Sequence, residues 1–161
     1  MEIKYEINRK DYWNFTNFSY VHIPILRNTL IGVAALIFFM LSSSFLYNVR
    51  EGFRFLLFNL IVWFIAYELM KWITMRLPAS KPGILGEHIM EIDSNGLKER
   101  TLYNEGTIKW AGVIKILSNK SYIFIYIDNM VGYIVPKRAF TTEKEEEEFF
   151  NAAVEMWNNN K

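Results

Sequence analysis

Cysteine is absent from this chain, which excludes disulfides, thiolate metal sites and cysteine nucleophiles, and leaves the redox compartment unreadable from thiols. Histidine is nearly as scarce, with His22 and His88 alone. No Gly-rich phosphate loop, no Gly-x-Ser-x-Gly elbow and no His-Glu-x-x-His pair occurs. Charge is missing in one place above all: the 22 positions from Asn28 to Val49 carry none. What is abundant is apolar surface. Of 161 residues, 52% are hydrophobic and 17% aromatic, which excludes intrinsic disorder. The length is that of one domain and argues against an enzyme with separate cofactor and substrate lobes. The net charge of +1 conceals two unlike halves. Residues 1–81 hold nine Lys/Arg against five Asp/Glu, a balance of +4, and residues 82–161 hold nine against twelve, a balance of −3.

The uncharged run centres on Leu30 to Leu41, and as a helix rising about 1.5 Å per residue it matches a hydrocarbon core about 30 Å thick. It is too long and starts too late for a cleaved signal peptide. A second run follows from Phe55 to Tyr67 and continues through Ile73, interrupted by Asn59 and Glu68. Residues 28–76 are therefore expected to form a transmembrane helical hairpin, with spans at about 28–49 and 55–75 and a tight turn over Asn48–Arg54. Arg27, Lys71, Arg76 and Lys81 flank the outer ends, against Arg50 and Arg54 in the turn. That bias places both termini in the cytoplasm and the chain in the inner membrane as a multi-pass protein. Glu68, the one acid in a span, is read as snorkelling to the interface or pairing with Lys71 at i+3.

Residues 1–27 precede the hairpin. Ile3, Tyr5 and Ile7 alternate with Glu2, Lys4 and Glu6, the pattern of a half-buried strand. Asn8-Arg9-Lys10-Asp11 then suits a helix start. Tyr12, Trp13, Phe15, Phe18 and Tyr20 crowd the next nine residues, fitting either the membrane–water interface or a cap on the core of the following domain.

After the breaker-rich linker Ala79–Gly83 the period changes to two. Residues 82–161 are expected to form a cytoplasmic domain with strands at about Gly86–Ile92, Leu97–Asn104, Thr107–Ala111, Val113–Ser118, Ser121–Ile127 and Val131–Pro136. Asp93-Ser94-Asn95-Gly96 is a hairpin turn. Tyr122 to Ile127 is apolar on both faces, as a central strand would be. A helix over Thr142–Asn158 begins at the capping box Thr142-x-x-Glu145 and carries Phe149, Phe150, Ala153, Val154 and Trp157 on one side. The fold class that follows is α+β: a transmembrane hairpin and then a pleckstrin-homology-like (PH-like) antiparallel sheet or barrel, strongly bent and closed by the C-terminal helix. The strand Glu2–Ile7 is available as a seventh strand.

Gly86-Glu87-His88 through Ile92, Asn95-Gly96-Leu97, Trp110, Tyr122 to Tyr126 and Tyr133-Ile134-Val135-Pro136-Lys137-Arg138-Ala139-Phe140 resemble the YcxB-like bacterial membrane proteins. The opening Ile3-Lys4-Tyr5-Glu6 with Asp11-Tyr12, and the two-span hairpin, fit that family's layout too. The resemblance implies a small bacterial membrane protein with a PH-like cytosolic domain, and it brings no catalytic residues.

The residues themselves point away from turnover. His88 lies on a strand next to Glu87, whose side chain takes the opposite face, and both spans separate it from His22. Ser42-Ser43-Ser44 lies in the first span with no base near it, its hydroxyls free to bond back to the helix. No catalytic, cofactor or metal residue is therefore expected. The negative soluble half disfavours nucleic acid. A phosphate cage would need more cations at the first hairpin than Lys98 and Arg100. These two, with Lys137 and Arg138, are the candidate membrane-surface contacts, sufficient to orient a domain on anionic lipid. The expected function is a non-enzymatic module, anchored in the lipid bilayer, that binds an unidentified protein partner. The alternative is a small membrane immunity or stress protein that blocks a toxin or pore within the bilayer.

Overall fold

The computed structural model describes residues 1–76 and 83–160, so Ala79–Pro82 of the expected linker, with the charge of Lys81, lie outside the described residues. The chain divides into two compact units. One joins Met1–Thr16 to Met75–Lys161, and the other is Asn17–Thr74.

In the first unit, strand β1 (Glu2–Ile7) buries Ile3, Tyr5 and Ile7 and exposes the residues between them, as the alternation predicts. Its partner is β2 (Gly86–Asp93), in antiparallel register with Tyr5 opposite His88 and Ile3 opposite Met90. Strands β3 (Gly96–Thr101) and β4 (Glu105–Lys109) complete a sheet ordered β1-β2-β3-β4. The hairpin between β2 and β3 is closed by Asp93, whose Oδ1 accepts from the N–H groups of Asn95 and Gly96 at 2.7 and 3.1 Å. Gly96 has φ +155°, and a Cβ there would collide with the Ile108 carbonyl oxygen.

The second sheet is β5 (Lys115–Ser118), β6 (Tyr122–Tyr126) and β7 (Gly132–Pro136), with β6 central and all five of its residues buried. The expectation of one bent or closed sheet is corrected here. The strands form a four-stranded and a three-stranded sheet, and among the described residues no ladder joins them into a barrel. The break falls where Thr107–Ala111 and Val113–Ser118 were expected to run on as strands. Trp110–Gly112 instead turns as a 3₁₀ helix, burying the indole, whose Nε1–H donates to the Asp93 carbonyl at 2.8 Å.

Helix α1 (Arg9–His22) contributes Trp13 and Phe15 to the core of this unit, and Phe15 stacks on Tyr126 with ring centroids 5.3 Å apart. For these two rings the core reading of the aromatic stretch holds.

The chain ends in helix α4 (Glu143–Asn159), preceded by its N-cap Thr142, whose hydroxyl accepts from the Glu145 N–H. Glu145 reaches back to the N–H of Thr141 rather than to the cap residue itself. Within the expected apolar stripe, Phe149 and Ala153 are fully buried, while Phe150 is half-buried. The anchor is therefore Phe149, packed on Phe140 at 5.4 Å, and not Phe150. Trp157 ties the last turn to the Val113 carbonyl at 2.7 Å.

The second unit is mainly α2 (Pro24–Tyr47) and α3 (Val49–Arg76). Two stretches, Pro24–Ser43 and Val49–Arg76, are long and apolar enough to cross a membrane, and side chains such as Phe38, Phe39 and Phe64 stand exposed. The expected seven-residue turn over Asn48–Arg54 is corrected to a one-residue break at Asn48. The Asn48 side chain caps α3 by accepting from the Arg50 N–H at 2.9 Å. Gly52 serves packing rather than turning, since a Cβ there would lie 2.6 Å from the Phe45 ring. Ser42 and Ser43 bond back to helix carbonyls, as expected of hydroxyls in such a helix. Glu68 pairs with Lys71 at 3.7 Å.

Candidate functional site

Two polar clusters sit in the first unit. The first is built around Asp11, 1% exposed at the third position of α1. Asn8 caps that helix, accepting from the N–H groups of Lys10 and Asp11, and Asp11 Oδ2 accepts in return from the Asn8 N–H at 2.8 Å. Arg138, on the 3₁₀ turn after β7, grips the same carboxylate with both guanidinium arms, at 2.8 and 2.7 Å, and also donates to the Glu6 carbonyl. The Tyr122 hydroxyl donates to Asp11 Oδ1 at 2.8 Å and accepts from the Asn14 amide. Burial by itself raises the Asp11 carboxyl. The Arg138 fork, the Asn8 N–H and the Tyr122 hydroxyl outweigh burial and hold it below the usual carboxylate value. Burial and the neighbouring Asp11 in turn push the Tyr122 phenol up.

The four cations singled out from sequence are all engaged. Lys98 pairs with Glu105 at 2.7 Å and Arg100 with Glu2 at 3.1 Å. Lys137 pairs with Glu146 at 2.6 Å and Arg138 with Asp11. Lys98 and Arg100 share one side of β3, while Lys137 and Arg138 follow β7 of the other sheet.

The second cluster lines a cavity of about 410 Å³. Its walls include Ile7, Tyr12, Phe15, His88, Glu99 and Tyr133. His88 is 5% exposed. Its Nδ1 lies 2.9 Å from Glu99 Oε1, and its ring stacks on Tyr5 with centroids 5.6 Å apart and planes 6° from parallel. His88 Nε2 and the Tyr5 hydroxyl are buried without a hydrogen-bond partner among the described residues. Burial raises the Tyr5 phenol well above its usual value, with the negative charge of Glu99 adding to the effect. Burial and Glu99 raise Tyr133 in the same order.

The separation of His88 from Glu87 expected from strand alternation is observed, since Glu87 pairs outward with Lys4 at 3.0 Å. The acid that does reach His88 is Glu99. Its position was available in the sequence: the turn that sets Asp93 opposite Gly96 also sets Met90 opposite Glu99 and His88 opposite Thr101. Glu99 thus lies diagonally across from His88 on the same face of the sheet. Asp11 gave no comparable signal, because its partners come from more than a hundred residues away. Among the described residues, no group of three or more His, Asp or Glu is placed to hold a metal ion.

No curated protein and no solved structure matches this chain. A family model does match part of it. The matched segment holds the Asn95-Gly96 turn, Trp110, the buried strand β6 and the Ile134-to-Phe140 stretch that ends in Arg138 and its neighbours. A family model described as YcxB-like protein matches residues 92–153, from the end of β2 into α4, in agreement with the resemblance read from the sequence.

Proposed function

We propose that the chain is a non-enzymatic, membrane-anchored interaction module, with a PH-like domain held at the inner leaflet and both termini in the cytoplasm. The observation that carries this reading is the pairing of β1 with β2. One strand precedes α2 and α3 and the other follows them, so the domain needs both flanks of the hairpin on one side of the bilayer. Two spans meet that requirement, and the basic residues at the outer ends of the hairpin favour the cytoplasmic side. The four-plus-three antiparallel strands with a terminal helix support the PH-like assignment. The exposed apolar side chains of α2 and α3 suit lipid as their solvent. Among the described residues, the clusters at Asp11 and His88 supply polar groups without a serine, threonine or cysteine nucleophile in hydrogen-bond contact with a base.

The absence of native cysteine makes the test direct. Single cysteines at Glu51 and Ser118, introduced separately, should react with an impermeant thiol reagent in intact cells only at Glu51. Labelling at Ser118 alone overturns the topology. Crosslinking in native membranes should capture a partner that a chain lacking residues 83–161 no longer captures. Unchanged capture by the truncated chain overturns the role of the domain. Turnover of a substrate by purified full-length protein overturns the non-enzymatic reading.

A further inference from the structure

We propose that the cavity at His88 and Glu99 binds an amphiphilic amine, a protonated amino group carried on an apolar body. The proposal rests on the reading of this chain as a binding module and names the ligand chemistry of that module.

Size and walls come first. A cavity of about 410 Å³ falls within the range of small-molecule sites. Ile7, Phe15 and Ile134 line it with apolar surface, and Tyr12 and Tyr133 add rings with hydroxyl groups. A predominantly apolar lining with few polar groups selects a ligand that is itself mostly apolar.

Charge then decides the polar end. Among the described residues lining the cavity there is a carboxylate, Glu99, and no Lys or Arg. The polar partner of Glu99 among the described residues is His88 Nδ1, which meets one carboxylate oxygen. The contrast with Asp11 is informative: there an Arg fork, a backbone N–H and a phenol saturate the acid. Among the described residues no equivalent donors reach Glu99, while the nearby His88 Nε2 and Tyr5 hydroxyl are closed off from solvent and also lack a partner there. A half-buried carboxylate on a cavity wall costs free energy unless something supplies its hydrogen bonds.

An anion is repelled by Glu99. A neutral alcohol supplies one donor. A protonated amine supplies up to three donors and a positive charge, in a cavity that the Tyr12, Phe15 and Tyr133 rings also line. The raised Tyr5 and Tyr133 phenols remain protonated and add no competing negative charge. The ammonium is thus the headgroup that the lining complements, with the apolar tail against Ile7 and Ile134.

The probe is octylammonium, added to full-length protein labelled with ¹⁵N-histidine in a neutral detergent, with 1-octanol and octanoate as comparisons. His22 and His88 are the two histidines, so His22 serves as an internal control. Octylammonium should shift the His88 ring nitrogens saturably, at least tenfold more tightly than 1-octanol, with no response to octanoate or at His22. Glu99→Gln should weaken octylammonium at least tenfold and leave 1-octanol within threefold. Met130→Trp, at the exposed rim of the cavity, keeps the test decisive if Glu99→Gln does not fold, and it should weaken both probes by occupying the space. The proposal is overturned by the absence of a saturable shift at His88, by equal affinity for 1-octanol, or by either variant binding octylammonium as the parent does. In those cases the labelling and crosslinking results still stand or fall separately, so loss of the ligand leaves the module reading intact.

Discussion

Asp11 and Glu99 are two acids in one small domain, and they are treated in opposite ways. Asp11 is almost wholly buried and every lone-pair direction of its carboxylate is used, by Arg138, Tyr122 and the Asn8 N–H. Glu99 is half-buried against a histidine whose other nitrogen lacks a partner among the described residues, beside a phenol that also lacks one there. A saturated cluster has nothing left to offer a ligand and acts as a clasp, joining α1 to the end of the second sheet. An unsaturated cluster on a cavity keeps its capacity for binding. The difference sets the structural role of Asp11 against the recognition role proposed for Glu99.

The scale for testing this contrast is set by the apolar core. Phe149→Ala should cost about 3–5 kcal/mol, as a fully buried aromatic residue does, and Phe150→Ala distinctly less, both read from denaturant unfolding followed by tryptophan fluorescence. Equal losses would place the α4 anchor wrongly.

Next in size is the clasp. Asp11→Ala removes the acceptor from Arg138 and Tyr122 and should cost about 2–4 kcal/mol, below the full buried-pair value because the Arg138 side chain is 52% exposed. The Asp11 carboxyl is held below its unfolded value, so its contribution is complete above about pH 4 and is lost as pH falls through the folded-state value. Acid unfolding of the parent should therefore steepen below about pH 4, and Asp11→Asn should flatten that dependence. An unchanged acid profile in Asp11→Asn would remove the clasp from the account.

The smallest effect has the opposite sign. Tyr5→Phe deletes a buried hydroxyl that has no partner among the described residues and should stabilise the ligand-free protein by about 1 kcal/mol. The same change in the saturated cluster, Tyr122→Phe, should destabilise. Two changes of like sign would dissolve the distinction between the clusters.

The apolar patterning of the sequence carried most of the architecture. Period-two alternation located β1, β2 and β6 to within a residue or two, and the Thr142 capping box located the start of α4. The hairpin helices were legible from their uncharged runs. Their junction was not, because Asn48-Val49-Arg50-Glu51-Gly52 has turn composition, yet Gly52 answers to the nearby Phe45 ring. The split into two sheets was hidden for a similar reason: nothing in the local pattern states that Trp110 must leave the strand to find the Asp93 carbonyl. Of the polar clusters, the His88–Glu99 diagonal could be computed from the Asn95-Gly96 turn. The Asp11–Arg138 clasp depended on tertiary folding alone, although both residues belong to segments that carry the family resemblance.

The β1–β2 ladder also fixes an order of events during synthesis. Strand β1 leaves the ribosome before β2, and its partner follows both hydrophobic helices, since Glu2 pairs with Glu91 and Ile7 with Gly86. Closing so long a loop is entropically costly for a free chain, by about 0.6 kcal/mol for each doubling of length. On the proposed topology, a helical hairpin seated in the bilayer returns the chain to the side from which it started and shortens that search. On that reading, membrane insertion would favour completion of the four-stranded sheet. A sheet in which β1 stays unpaired would leave the β2 edge open, a strand edge free to pair with another chain.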